Sequence, residues 1–216
     1  MRFDWPFLSQ NFVLYPQKAI FWKEEQTLIV SDLHIGKVGH FRKAGIAVPK
    51  LLEQEELSIL SDLIHDCDPI RIIFLGDLFH SEMNNDWNWL ELWRGLFPKI
   101  EMVLVEGNHD ILHPDYYAAA GFKVVPTFAT DTILFVHEPL DSVKLIAQNR
   151  YVFSGHIHPG VKLRGVGRQN LTISCFYFGE RQAILPAFGR FTGNYCLEVE
   201  KKSKVFGITS KKIIEL

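Results

Sequence analysis

Cysteine is scarce in this chain: Cys67, Cys175 and Cys196 are its only three, odd in number and in no paired spacing. That excludes a disulfide framework and suits thiols that are buried or incidental in a reducing compartment. Long apolar runs are missing too. The first residues, MRFDWPFLSQNF, are broken by Asp4, Pro6 and Ser9, so they offer neither the core of a signal peptide nor a spanning length. A cytoplasmic location with no membrane partner is the expectation. Charge of one sign is equally lacking: 23 Lys and Arg stand against 25 Asp and Glu, a formal net charge of -2. This balance argues against a wholesale polyanion-binding surface and leaves room for local basic patches. No linker, repeat or low-complexity tract interrupts the 216 residues, so one domain over 1–216 is expected.

What is present is a series of short runs rich in Ile, Val, Leu and Phe: AIFW (19–22), TLIVSD (27–32), RIIFLGD (71–77), EMVLVEGN (101–108), TILFVHE (132–138) and YVFSGH (151–156). They read as buried strands. Between the second and third, Leu52, Leu60, Leu63 and Ile64 recur near helical spacing, with Pro49 suited to a first turn. A second helix is expected over NNDWNWLELWRGLF, with Asn and Asp as caps and Trp89, Trp93 and Leu96 on its core face. After residue 160, LTISCFYFG, AILPAFG, NYCLEVE and KVFGIT are strand-like. Alternating strand and helix followed by a run of strands predicts an α/β protein whose mixed sheets are covered by helices.

In such folds polar residues at strand carboxyl ends gather in one crevice. Here Asp32 and His34, Asp77, Asn108 with His109 and Asp110, His137, and His156 with His158 all stand where apolar runs stop. Each alone has a plain explanation as a helix cap or turn residue. Five strand ends rich in metal-ligand side chains make the plain explanations improbable together. His156 and His158, two apart in GHIH, can serve one site from one extended backbone.

The ordered series Asp-x-His, Gly-Asp, Gly-Asn-His-Asp, His and Gly-His-x-His, from Asp32 to His158, resembles that of the calcineurin-like metallophosphoesterases. The resemblance implies an α/β four-layer sandwich, two mixed β-sheets flanked by α-helices, holding two divalent metal ions. It implies that Asp32, His34 and His158 hold the first metal, that Asn108, His137 and His156 hold the second, and that Asp77 bridges them. His109 matches the family's catalytic histidine, which contacts the substrate phosphate. Two divalent cations would leave a surplus of positive charge over the two carboxylates for an anionic phosphate. Four imidazoles, one amide and two carboxylates are too nitrogen-rich for calcium or magnesium and suit Mn, Fe, Zn or Co. Mn(II) is the choice that the resemblance favours. His80 departs from the acidic or amide residue that many family members carry three positions after the bridging Asp, and reads as an outer partner or a substrate contact.

Beyond the shared motifs, SDLHIGKVGHFRKAGIAVP, HEPL and LPAFGRFTGNY resemble the bacterial ligase-associated DNA damage response (PdeM-like) phosphoesterases, described as endonucleases. That implies a DNA substrate and association with a DNA ligase and a helicase. Lys37, Arg42 and Lys43 follow the first motif, and Lys162, Arg164 and Arg168 follow GHIHPG, as phosphate-reading loops or as solvated charge. Phosphodiesterase action on DNA leads. Hydrolysis of a small nucleotide is the alternative, and a non-catalytic scaffold has no use for this set of side chains.

Overall fold

Three central strands, β4 (Thr27–Val30), β5 (Arg71–Leu75) and β6 (Glu101–Val105), are apolar without alternation because both of their faces are covered. Leu28, Val30, Ile72, Phe74, Met102 and Leu104 face one core. Their neighbours Ile29, Ile73, Leu75, Val103 and Val105 face a second. These strands run parallel. β1 (Phe3–Phe7), β2 (Gln10–Tyr15) and β3 (Ala19–Trp22) add an antiparallel meander at one side, and β7 (Lys123–Val125) closes the other. A computed structural model of the chain describes residues 1–37, 51–165, 169–190 and 192–216, the side chains of 51–53 excepted.

The second sheet is also mixed. β9 (Ile133–Phe135), β10 (Tyr151–Ser154) and β13 (Gln182–Ile184) are parallel, with β8 (Phe128–Ala129) antiparallel at the edge. β12 (Asn170–Phe178) pairs along its first half with β11 (Pro159–Arg164), which β14 (Tyr195–Cys196) flanks. Along its second half it pairs with β13 and β15 (Lys204–Ile208), and β16 (Ile213–Glu215) completes the edge. The sheets face each other across aromatic packing in which Phe12, Phe135, Phe153, Phe176, Phe178 and Phe206 are buried.

Helices α1 (Leu51–Cys67), α2 (Asn85–Gly95) and α3 (Pro114–Ala119) cover the first sheet, α1 through Leu57, Leu60, Leu63 and Ile64. On the second sheet the covering is thin, since α4 (Ser142–Ala147) buries none of its residues. The expected four-layer α/β architecture is present with that asymmetry.

Three expectations are corrected. α2 is capped by Asn84, whose side chain accepts from Asp86 N at 2.7 Å, but its core face is Trp87, Leu90 and Trp93. Trp89 and Leu96 are 49% and 70% exposed. Trp93 lies on the border of two apolar arcs of the helix, and Trp87, packed edge-on against Phe79 and Tyr117, turns the other arc inward. AILPAFG is a strand only to Ile184, because Pro186 has no amide to continue a ladder. In NYCLEVE only Tyr195 and Cys196 pair. Pro49 lies outside the described residues. The three cysteines are free, and no helix among the described residues is long and apolar enough to cross a membrane.

Candidate metal centre

Strand register brings the polar strand ends together. Val30, Phe74 and Leu104 are neighbours across β4, β5 and β6, and Phe135 is the neighbour of Phe153 across β9 and β10. The chain then turns sharply after β4, β5 and β10. Asp32, His34, Asp77, His156 and His158 all lie in the left-handed region, at φ 53, 53, 52, 67 and 55°. For side-chain-bearing residues such a conformation costs roughly 1–3 kcal/mol each and persists only where its surroundings enforce it. Asp, Asn and His tolerate it better than most. In the Gly-Asp motif Gly76, at φ 78°, sits so close to the imidazole of His137 that a Cβ there would collide with the ring.

The outcome is two adjoining triads whose potential ligand atoms lie within 4.8 Å of one another: Asp32, His34 and His158, and Asp77, His137 and His156. In the first, His34 Nε2 faces His158 Nε2 at 3.4 Å, and His158 Nε2 stands 3.4 Å from Asp32 Oδ1. In the second, His156 Nδ1 lies 3.1 Å from His137 Nε2, which is 3.0 Å from Asn108 Oδ1. Asp77 addresses both: Oδ2 is 3.7 Å from His34 Nε2 and Oδ1 is 3.4 Å from His137 Nε2. Atoms about 2.1 Å from a shared cation stand roughly 3.0–3.4 Å from each other, so this spacing fits a metal in each triad.

Electrostatics favour the same reading. Burial pushes His34 down to about 3, with Lys37 adding to the effect, so its ring is neutral and offers a lone pair. Asp32 is fully buried, which opposes ionisation, but the His158 ring and the Ser31 hydroxyl together hold its carboxyl below the usual range. Asp32 also accepts from His156 N at 3.0 Å. His137 donates from Nδ1 to Leu75 O at 2.8 Å, which fixes Nε2 as the free nitrogen. His34 Nε2 is turned to the triads and its Nδ1 meets His80 Nδ1 at 3.0 Å; with Nε2 lent to a metal, Nδ1 would be the donor of that pair.

All seven residues expected to hold metal are therefore assembled, and His109 belongs to neither triad. Its backbone N–H donates to Asp77 Oδ1 at 2.9 Å, while its ring packs against His80 with centroids 4.0 Å apart. Of the residues expected to meet substrate, His80 touches His34 and His109. Lys37 is half-buried within the field of Asp77 and Asp32. Arg164 is exposed at the far end of β11, and Arg42, like Lys43 and Arg168, lies outside the described residues. A cavity of about 630 Å³, lined by Met1, Arg2, Tyr15, Asp66 and Lys211 among others, contains none of these groups.

Asp110 does more than its strand-end position indicated. Buried, it accepts backbone N–H bonds from Asp77 (2.8 Å), Leu78 (2.9 Å), Phe79 (3.1 Å) and Gly107 (2.9 Å), and it meets the Tyr117 hydroxyl at 3.3 Å. One carboxylate thus fastens the Asp77 turn to the Asn108 turn. Burial raises its pKa to about 6 against those donors, which leaves it ionised at neutral pH. The sequence signal was available in the fourth residue of GNHD, three positions after Gly107.

The family profile of the calcineurin-like phosphoesterases matches residues 26–173. The crystal structure of the Pseudomonas putida nuclease MPE is similar over 100% of both chains, at 28% identity and a TM-score of 0.84. A phosphoesterase from E. coli is similar over 88% of this chain and 97% of its own, at 13% identity and a TM-score of 0.44. A search of curated proteins gives no match. A profile that spans both triads' motifs, on a fold that gathers them at one edge, identifies the chain as a member of the calcineurin-like phosphoesterase family, a dinuclear metal-dependent hydrolase of phosphoester bonds.

Proposed function

We propose that the protein is a DNA-directed phosphodiesterase, a nuclease of the repair-associated type, that works with Mn(II). The observation that carries this reading is the pair of triads joined by Asp77, together with likeness over its full length to a nuclease. Asp32, His34 and His158 would hold the first metal, Asn108, His137 and His156 the second, and Asp77 would serve both. When bound, the two cations lower the pKa of water toward ~7 and neutralise charge gathering on the phosphoryl oxygens.

The protein's own groups do the rest. The backbone N–H of His109 orients Asp77, and its ring, outside both triads, protonates the leaving oxygen as the phosphorus–oxygen bond breaks. Lys37, close enough to feel Asp77 and Asp32, supplies a cation to the phosphate. Lys162 and Arg164 are exposed on the strand that leaves His158, and neither has an ion-pair partner among the described residues. They suit the backbone of a longer substrate. Both sheets contribute to one shared core, which supports reading 1–216 as one catalytic domain. Its place beside a DNA ligase and a helicase follows from the subfamily resemblance.

The test is hydrolysis of bis-p-nitrophenyl phosphate, p-nitrophenyl phosphate, cyclic nucleotides and single-stranded DNA, assayed side by side with Mn(II) and with chelator. Diester and DNA cleavage abolished by chelator is the expected result. Activity confined to small nucleotides would replace the DNA reading with the nucleotide one, and activity indifferent to chelator would overturn both. His109→Ala is expected to keep both metals and lose roughly 10²–10⁴-fold in turnover on DNA, with a smaller loss on p-nitrophenyl esters, whose leaving group needs no proton.

A further inference from the structure

A segment outside the matched family region braces the first triad. After β13 the chain runs irregularly through Leu185–Gly189, buried throughout, and passes behind Ser31, Asp32 and Leu33. Phe188 N donates to Ser31 O at 2.8 Å and Gly189 N to Asp32 O at 3.1 Å. On the other side Asp32 N donates to Gly76 O at 3.2 Å, and His34 N donates to Asp77 O at 2.8 Å. The left-handed Asp32 is thus gripped at its amide by one loop and at its carbonyl by another. The Gly76 loop belongs to the centre itself, whereas the 185–190 loop needs an anchor of its own.

That anchor is Glu56 on α1. Its Oε1 accepts from Arg190 N at 2.7 Å, although the residue is only 5% exposed. A carboxylate is costly to bury unless its hydrogen bonds serve the fold. Beside it, Glu55 Oε2 pairs with Arg190 Nη1 at 2.5 Å, and Lys18 Nζ reaches Gly189 O at 3.5 Å. Glu56 contacts neither triad, and no step of the reaction uses it.

We propose that Glu56 is a positioning residue for the first metal: by holding the Arg190 N–H it presses the 187–190 loop onto Asp32 and keeps that ligand in its strained, metal-ready pose. The inference rests on the metal assignment under Proposed function. Groups that hold a ligand from behind typically change metal affinity by roughly 10–100-fold when lost.

Mn(II) titration of the full chain by calorimetry, with electron paramagnetic resonance to count bound ions, tests it. His34→Ala identifies which binding step belongs to the first triad. Glu56→Leu, which removes the acceptor, is expected to weaken that step by roughly 10–100-fold and leave the other unchanged. Glu56→Gln keeps an acceptor oxygen for Arg190 N–H and is expected to restore the step. Gly189→Ala offers an independent route should Glu56→Leu fail to fold, since its Cβ would stand 2.5 Å from Leu33 O and 3.1 Å from Asp32 O and lift the loop. It should produce the same selective loss. Folded variants that bind both ions as the parent does would overturn the brace while leaving the centre intact, as would equal weakening of both steps. A parent protein whose binding steps are untouched by His34→Ala would instead overturn the metal assignment, and the brace with it.

Discussion

In the Asp32, His34, His158 triad the imidazole of His34 leans on another side chain, His80, whereas in the Asp77, His137, His156 triad the imidazole of His137 leans on a backbone carbonyl, Leu75 O. Asp32 is fully buried, while Asn108 on the second side is exposed. The two triads are equally buried, each with two buried residues and one half-buried histidine, but the first is adjustable by mutation, because its outer contacts include the His80 side chain and a remote loop. The second is fixed at His137 by the main chain, so its orientation depends on how closely backbone and ring approach. Two sites built from the same side-chain types are thus held by different means.

Asp77→Ala should erase the distinction, since Asp77 faces both triads. We expect loss of bound metal from both positions and a fall in turnover of at least roughly 10²–10³-fold. Metal analysis that still found two ions per chain would remove Asp77 as the shared corner.

Gly76→Ala should strike the second position harder. The added Cβ runs into the His137 ring, and φ 78° suits no other residue well. Weakening of the second binding step by roughly 10–100-fold is expected, with a smaller loss in the first, whose Asp32 N–H is held by Gly76 O, and stability lowered by about 1–3 kcal/mol. Titration showing the opposite order of loss would exchange the roles of the triads.

His80→Ala is the mirror of that experiment. Without the acceptor for its Nδ1–H, His34 loses its fixed orientation, and the first step should weaken by roughly 10-fold. His80→Gln, which keeps an acceptor, should recover part of the loss. An unchanged first step would make the His34–His80 contact incidental.

The smallest effect concerns pH and the first side alone. Burial raises Glu56 from 4.5 to about 7, against the Arg190 N–H, with Arg190 and Lys18 lowering it, Glu55 raising it and Lys37 also within its field. The folded state keeps a proton between those values that the unfolded chain releases. Its contribution to stability is therefore fully present below 4.5 and lost as pH rises through 7. Glu56→Gln should gain on the parent across that window by on the order of 1–3 kcal/mol, measured by urea unfolding at either end. A constant difference would show that Glu56 does not titrate there.

The sequence made the centre easier to read than its supports. Strand ends such as Val30 to Asp32 and Leu75 to Asp77 were visible because buried parallel strands are continuous apolar runs that stop abruptly. The long-range partners of His80, Asp110 and Glu56 were not readable, since they lie 31–134 positions away, as Arg190 does from Glu56. The β1–β2 hairpin escaped for another reason. Phe3, Trp5 and Phe7 alternate as a half-buried strand should, but a five-residue stretch broken by Asp4 and Pro6 lacks the continuous apolar run that marks the central strands. On α2 the apolar residues covered two arcs, and only the position of Phe79 and Tyr117 decided between them.

The left-handed backbone at His156 and His158, φ 67 and 55°, sets thermostability against catalysis at single positions. Both rings are half-buried, so glycine there would relax the backbone and leave little void. It would also take away a proposed metal ligand. Selection for robustness alone, blind to turnover, should therefore enrich glycine in the GHIH segment and yield sturdier, inert proteins. The two positions thus set the ease of the backbone against the use of the side chain.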